Sequence, residues 1–146
     1  MLISSKGRYA LRLMIYIAAI GGDDGATRVS LREVAEREGI SLKYLEQLVR
    51  PLMGAGLLKS VRGKGGGYVL AKPARAVRAG DILRAAEGER STVACDGLEG
   101  TCGRSDLCST VRFWTGLEEV IDAYVDSVTL DELARVPEIH IDLNGQ

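Results

Sequence analysis

The 146-residue chain holds a single histidine, His140. Zinc hydrolases that bind metal through several imidazoles, and Ser-His-Asp enzymes, therefore have little to build on. Aromatics are sparse too: five tyrosines, Phe113 and Trp114 make up 5% of the chain. Proteins that grip single-stranded nucleic acid stack successive bases on aromatic rings, and that platform is missing. Neither G-x-x-x-x-G-K-[ST] nor G-x-S-x-G occurs, which removes the P-loop phosphate cradle and the nucleophile elbow. With no acid/base or nucleophile pair evident, the sequence does not read as an enzyme. The longest apolar run near the N-terminus, Leu13–Ile20, has eight residues, whereas a membrane helix needs ~20. Lys6, Arg8 and Arg12 precede that run as in a secretory leader. Tyr9, Leu13, Ile17 and Ile20 recur instead at helical spacing, so the expectation is a cytoplasmic chain with no membrane partner.

Net charge is also nearly absent, at −1, but the charge is unevenly distributed. Residues 1–75 carry 13 Lys+Arg against 6 Asp+Glu, a balance of +7, while residues 76–146 carry 6 against 14, a balance of −8. A basic half suited to a polyanion is joined to an acidic half with another task. At 46% hydrophobic and 27% charged, the chain has the composition of a folded domain.

Helix signals are dense in the first half. Ser4 or Ser5 can cap a helix running to about Ile20, with Tyr9, Ala10, Leu13, Met14, Ile17 and Ala18 on its apolar face, and Gly21-Gly22 ending it. Ser30-x-x-Glu33 is a capping box for a short helix that Gly39 stops. Ser41 can cap the next helix, with Leu42, Leu45 and Leu48 inward and Pro51 kinking or restarting it. Two short helices joined by Glu38-Gly39-Ile40-Ser41, with Ile40 as apolar plug, form a helix-turn-helix pattern. An ordinary αα-hairpin has the same local signature. The adjoining segment favours the DNA-binding form: Leu57–Val61 and Gly67–Leu70 read as strands around an Arg62-Gly63-Lys64-Gly65-Gly66 tip. A hairpin directly after a helix-turn-helix is a wing.

The predicted fold is mostly α with a small β-hairpin wing: a winged helix-turn-helix over residues 1–78 and a C-terminal part over 79–146. The latter holds a short helix from Ala79 to Glu87, a cysteine-containing loop at 88–108, a long helix at 109–127 and a tail. Thr129 and Glu132 mark a second capping box. Val111, Trp114, Leu117, Ile121, Tyr124 and Val125 make an apolar stripe on the long helix, suited to its copy in a two-fold dimer. Packing back on the first helix is the plainer use of that stripe, and both can hold.

The helix after Ser41 is expected to present Lys43, Tyr44, Glu46, Gln47 and Arg50 to double-stranded DNA. Gln47 can pair with adenine and Glu46 can accept from cytosine, unless Glu46 is spent on an i,i+4 pair with Arg50. Lys43 and Arg50 suit phosphates. At the wing tip, Arg62 and Lys64 can reach phosphates or a narrow minor groove, and Gly65 lets the backbone come close. A dimer would set two such helices one DNA turn apart, ~34 Å, on a pseudo-palindrome.

Cys95, Cys102 and Cys108 are the chain's only cysteines. Three thiols in a reducing compartment do not form a disulfide framework. They suit an iron–sulfur cluster, of 2Fe–2S or 4Fe–4S type, more than zinc, which would want a fourth Cys or His close by. A thiol redox switch needs only two of them. An iron–sulfur carrier or electron-transfer protein, with the helix-turn-helix as a protein interface, is the rival from another class.

The segments Ser4-Ser5-Lys6-Gly7-Arg8-Tyr9-Ala10, Ile40-Ser41-Leu42-Lys43-Tyr44-Leu45-Glu46-Gln47-Leu48 and Ser60-Val61-Arg62-Gly63-Lys64-Gly65-Gly66-Gly67-Tyr68 resemble the Rrf-two family of bacterial winged-helix transcription regulators. Ala79-Gly80-Asp81-Ile82, Thr129-Leu130-Asp131-Glu132-Leu133 and the cysteine loop extend the likeness over nearly the whole chain. The resemblance implies a homodimeric DNA-binding repressor or activator, joined along the long helix and controlled by a cluster beside it. It implies that Glu46 and Gln47 read bases, that Arg62 enters the minor groove and that Cys95, Cys102 and Cys108 are ligands. Two departures stand out. The first cysteine gap is one residue longer than in the cluster-binding members. Their ligand His, three residues after the third Cys, is here Val111, and the Asp that nitric-oxide-sensing members contribute from the partner is here Arg8. Asp96, Glu99, Asp106, His140, a small thiol, water or a residue of the partner chain are the candidates for the fourth position. Other members of the family lack the cluster and respond to sulfur metabolism.

Overall fold

The computed structural model describes residues 3–22, 27–89 and 107–135. Ala10, Leu13, Met14 and Ile17 share one side of helix α1 (Ser5–Gly21) and are fully buried. The helix starts where the Ser4 side chain accepts from the Lys6 N–H, and ends at Gly22, φ 69°. Around α1 are packed α2 (Leu31–Glu38), α3 (Leu42–Gly54), the strand β2 (Gly67–Leu70), α4 (Ala79–Glu87) and α6 (Leu130–Arg135), while the strand β1 (Leu58–Val61) lies against β2 and α3. A 3-10 turn at Ala74–Ala76 leads into α4. Helix α5 (Val111–Ser127) meets this body through α4.

Helix α2, the first of the helix-turn-helix, is fixed at both ends by polar contacts from α1. Ser30 accepts from the Glu33 N–H at 3.2 Å, but the Glu33 carboxylate does not close the expected box. It accepts instead from the Tyr16 hydroxyl at 2.8 Å. Burial, and then this bond, push the Tyr16 hydroxyl above its ordinary value. At the far end of α2, Arg12 donates to the Glu38 carboxylate at 2.9 Å and to the Glu38 carbonyl at 2.6 Å. A basic side chain there satisfies a carbonyl that the helix leaves open. Gly39 turns the chain at φ 65°, Ile40 is buried in the turn, and Ser41 caps α3 by accepting from the Tyr44 N–H at 3.2 Å.

The structure corrects three expectations. Helix α3 runs unbroken through Pro51 to Gly54, so Pro51 does not restart it. Leu42 is exposed rather than inward, because the first turn of α3 overhangs the core that Leu45, Leu48, Val49 and Leu52 enter. The long helix does not lie back on α1: α4 is the element it meets, and α1 is occupied by α4 and α6.

The wing has one feature that sequence patterning missed. β1 and β2 pair antiparallel with Leu58 opposite Leu70 and Val61 opposite Gly67. Val29 adds a third rung, its N–H and carbonyl bonded to the Tyr68 carbonyl and N–H at 3.0 and 2.8 Å. That rung passes so close that a Cβ on Gly67 would lie 2.6 Å from the Val29 oxygen. Glycine at 67 is what allows the segment before α2 to pair with β2 just below the wing tip.

At the other end, the Ala79 N–H bonds the Val128 carbonyl at 2.9 Å and the Leu130 N–H the Val77 carbonyl at 2.8 Å. Leu130 is fully buried. Thr129 and Glu132 form the expected reciprocal cap of α6, at 2.8 and 3.1 Å. The C-terminal end of α5 is thereby anchored in the body. No described helix is long and apolar enough to cross a membrane.

Candidate nucleic-acid interface

On α3, burial alternates with exposure at helical period. Leu45, Leu48 and Val49 face the core, while Ser41, Lys43, Glu46, Gln47 and Arg50 are exposed. Among the described residues neither Glu46 nor Arg50 takes part in an ion pair, so the i,i+4 bridge that would have explained Glu46 is not made. A free carboxylate on a surface otherwise of Lys43, Gln47 and Arg50 is repelled by phosphate, and gains only from a donor such as cytosine N4.

Tyr44 departs from expectation. Its ring is half-buried against the core and lies edge-on to Tyr9, centroids 5.6 Å apart. Its hydroxyl is hydrogen-bonded to Ser5 Oγ at 3.2 Å. Tyr44 therefore ties α3 to the N-terminal turn of α1, and is not freely presented with its neighbours. Arg8 and Arg12 stand over the Tyr9 ring at 6.0 and 5.6 Å, which adds cationic charge beside that tie.

Strand β1 packs on α3 and carries the wing tip. Arg62, Lys64 and Gly65 are all exposed there. The tip closes with the Gly66 N–H on the Gly63 carbonyl at 2.9 Å, with Gly65 at φ 76°. Lys59 and Ser60 on β1 are exposed as well. Sequence patterning did not single them out, although strand alternation next to a wing tip is the signal that would have.

No residue of α5 is fully buried. Val111, Trp114, Leu117, Ile121 and Val125 of the expected stripe are half-buried, and Tyr124 is 69% exposed. Phe113 and Val120, 64% and 67% exposed, widen the apolar arc beyond the residues expected from sequence. On the opposite side Arg84 of α4 pairs with Asp126 and lies 3.9 and 4.0 Å from Asp81 and Asp122. The Asp126 hydrogen bond is the main reason that guanidinium is held above its ordinary value.

Of the three thiols, Cys108 lies among the described residues, just before α5; Cys95 and Cys102 lie outside them, as do Asp96, Glu99, Asp106 and His140. Cys108 is exposed, with Sγ 3.4 Å from Thr110 Oγ1. That hydroxyl, and then the Thr110 backbone, hold its thiol below the ordinary value. Thiolate is the form that ligates iron, so Cys108 fits a ligand role. Val111, in the first turn of α5, offers no donor atom. Among the described residues, no three His, Cys, Asp or Glu side chains are gathered as a metal site.

A family model described as Rrf2, iron-dependent transcriptional regulator, matches residues 3–136. The HTH-type transcriptional regulator IscR of Yersinia enterocolitica is 42% identical over 139 residues, which is 95% of this chain and 82% of that relative. Among solved structures, CymR (YrzC), the global cysteine regulator of B. subtilis, matches with a TM-score of 0.75 at 39% identity, covering 94% of this chain and 99% of its own. T. potens IscR matches with a TM-score of 0.71 at 36% identity, covering 91% and 85%.

Proposed function

Because the chain belongs to the Rrf2 family of transcriptional regulators, we propose that it is a cytoplasmic homodimer whose hold on a pseudo-palindromic DNA operator is set by an iron–sulfur cluster on Cys95, Cys102 and Cys108. The observation that carries the DNA-binding part is the exposed set Lys43, Glu46, Gln47 and Arg50 on α3, beside a wing that ends in Arg62 and Lys64. Lys43, Arg50 and Lys64 supply phosphate contacts and hence affinity; Gln47 and Glu46 supply base choice; Arg62 reaches into the minor groove. Ser41 and Gly65 let backbone and cap approach the duplex. The apolar arc on α5, with Val111, Trp114, Leu117, Ile121, Tyr124 and Val125 and extended by Phe113 and Val120, is the surface on which a second copy would pack.

An iron–sulfur cluster, when bound, supplies a centre that oxidants or iron shortage can alter. Cys108, whose thiol the Thr110 hydroxyl and backbone hold below its ordinary value, would be one of its holders, at the entrance to α5. The three thiols fit such a group by their softness, and the fourth position falls to a residue other than the one at 111.

The test is anaerobic reconstitution followed by operator binding with and without the cluster. Iron uptake with charge-transfer absorption, and an operator affinity that changes when the cluster is removed, is the expected result. Colourless protein with no bound iron would overturn the cluster. The likeness to CymR then favours the second reading, a cluster-free regulator of the same fold that responds to thiol redox state or sulfur metabolism.

A further inference from the structure

The last residue of α4, Glu87, is the one acidic side chain among the buried polar residues described. Its carboxylate accepts from the Ser4 N–H at 2.7 Å, from the Ser4 hydroxyl at 2.7 and 2.8 Å, and from the Gly7 N–H at 2.9 Å. These donors belong to the opening turn of α1, where backbone N–H groups have no partner within the helix. The contact is close: a Cβ at position 7 would stand 2.7 Å from Glu87 Oε1 and 3.2 Å from Leu83 Cδ2, so the Glu87 carboxylate would have to move. Glu87 also stands at the stem of the segment that carries Cys95 and Cys102. Next to Ser4, Ser5 Oγ is bonded to the Tyr44 hydroxyl, and Tyr9 one turn on meets the Tyr44 ring. Tyr44 lies in α3 between Lys43 and the pair Glu46 and Gln47.

We propose that Glu87 is a positioning residue that couples the stem of the cysteine segment to the recognition helix, through the first turn of α1 and the Ser5–Tyr44 hydrogen bond. A shift of the stem pulls on Ser4 and Gly7, and the helix bearing the base readers follows through Tyr44. The inference rests on the proposed function only for the nature of the signal; the mechanical link is a property of the protein without any cluster.

The experiment uses the full-length, metal-free protein labelled with 3-fluorotyrosine, in which five tyrosines give five fluorine signals and Tyr44→Phe identifies that of Tyr44. Glu87→Gln keeps the size of the side chain but replaces an acceptor oxygen with an amide donor. The Tyr44 signal should move although Glu87 does not touch Tyr44, while the Tyr68 signal on the wing stays. Operator affinity should fall roughly fivefold, the weight of one hydrogen bond. That loss should be non-additive with Tyr44→Phe. A folded Glu87→Gln protein with an unmoved Tyr44 signal, or with all five signals moved alike, overturns the link. Should that variant not fold, Glu87→Asp takes its place, and Ser5→Ala must abolish its effect on Tyr44; persistence of the effect overturns the link. Failure of the wild-type protein to take up iron counts against the proposed cluster alone, since the fluorine result is obtained without it.

Discussion

Replacing Gly67 by Ala tests whether the wing is built on the segment before α2. The added Cβ would meet the Val29 oxygen at 2.6 Å, the Val29 carbonyl carbon at 2.9 Å and the Ser30 nitrogen at 3.3 Å, all backbone atoms that cannot swing aside. Relief requires the Val29 rung to separate from Tyr68, at the cost of its two hydrogen bonds, 2.8 and 3.0 Å long. At about 1 kcal/mol net for each, the pair accounts for about 2 kcal/mol. Val29 is fully buried, and partial exposure of its side chain adds up to about 1.5 kcal/mol. The expected loss is therefore about 2–4 kcal/mol, or roughly 5–15 °C in Tm for a chain of this size. Gly54→Ala is the control: it closes α3 in open space, with no neighbour within 4 Å and no positive φ, and should be neutral or stabilising by up to about 1 kcal/mol. Thermal and urea unfolding followed by circular dichroism measure both. A Gly67→Ala protein as stable as the Gly54→Ala control would refute the argument that the Val29 strand bears on Gly67.

Arg62→Ala should weaken operator binding and lower the slope of log affinity against log salt by up to about one, the mark of one cation withdrawn from the narrow minor groove and its counterion no longer released; titrations at several salt concentrations with unchanged affinity and slope would remove Arg62 from the interface. Glu46→Ala should broaden base preference at a defined operator position, because an unpaired carboxylate mainly penalises wrong bases; selection from a randomised operator that returns the parent preference with uniformly weaker binding would make Glu46 structural. Thr110→Val, in a metal-free protein whose only remaining cysteine is Cys108, should raise the pH at which alkylation reaches half its maximal rate. The Thr110 hydroxyl favours the thiolate, so its loss returns the thiol toward its ordinary value; an unmoved rate profile would contradict that.

Much of the fold is legible in the sequence because its signals are local. Ser30, Ser41 and Thr129 are followed at fixed distance by the N–H each receives, and Gly39 stops α2 through its own backbone angle. The wing, too, announces itself in two short apolar runs around a glycine-rich tip. The features that escape depend on partners far along the chain. Tyr44 has the spacing of a surface residue beside Lys43, and only Ser5 and Tyr9, folded against it from α1, turn it inward. Glu33 fits the capping pattern, yet Tyr16 competes for its carboxylate with a shorter bond. Glu87 looks like the last polar residue of a helix, and nothing nearby in sequence shows that the opening of α1 comes to it. The stripe on the long helix suits α1 as well as any other element, because apolar stripes do not name their partners; the helix itself meets α4 instead, with Arg84 beside Asp122 and Asp126.

The anchoring of α5 at its C-terminal end has a mechanical consequence. Its 17 residues, at ~1.5 Å each, make a rod about 25 Å long, fixed at Val128–Leu130, with no fully buried residue along it and with the Arg84 pairs to α4 at Asp122 and Asp126, towards the fixed end. A tilt of about 10° at that pivot carries the Val111 end through ~4 Å, and the angle leaves its helical hydrogen bonds unstrained. In a dimer joined along such rods, both copies would swing, and the two recognition helices would shift relative to one another. Against the ~34 Å between successive major grooves on one face of DNA, a shift of a few ångströms is enough to bring two heads into or out of register without unfolding either.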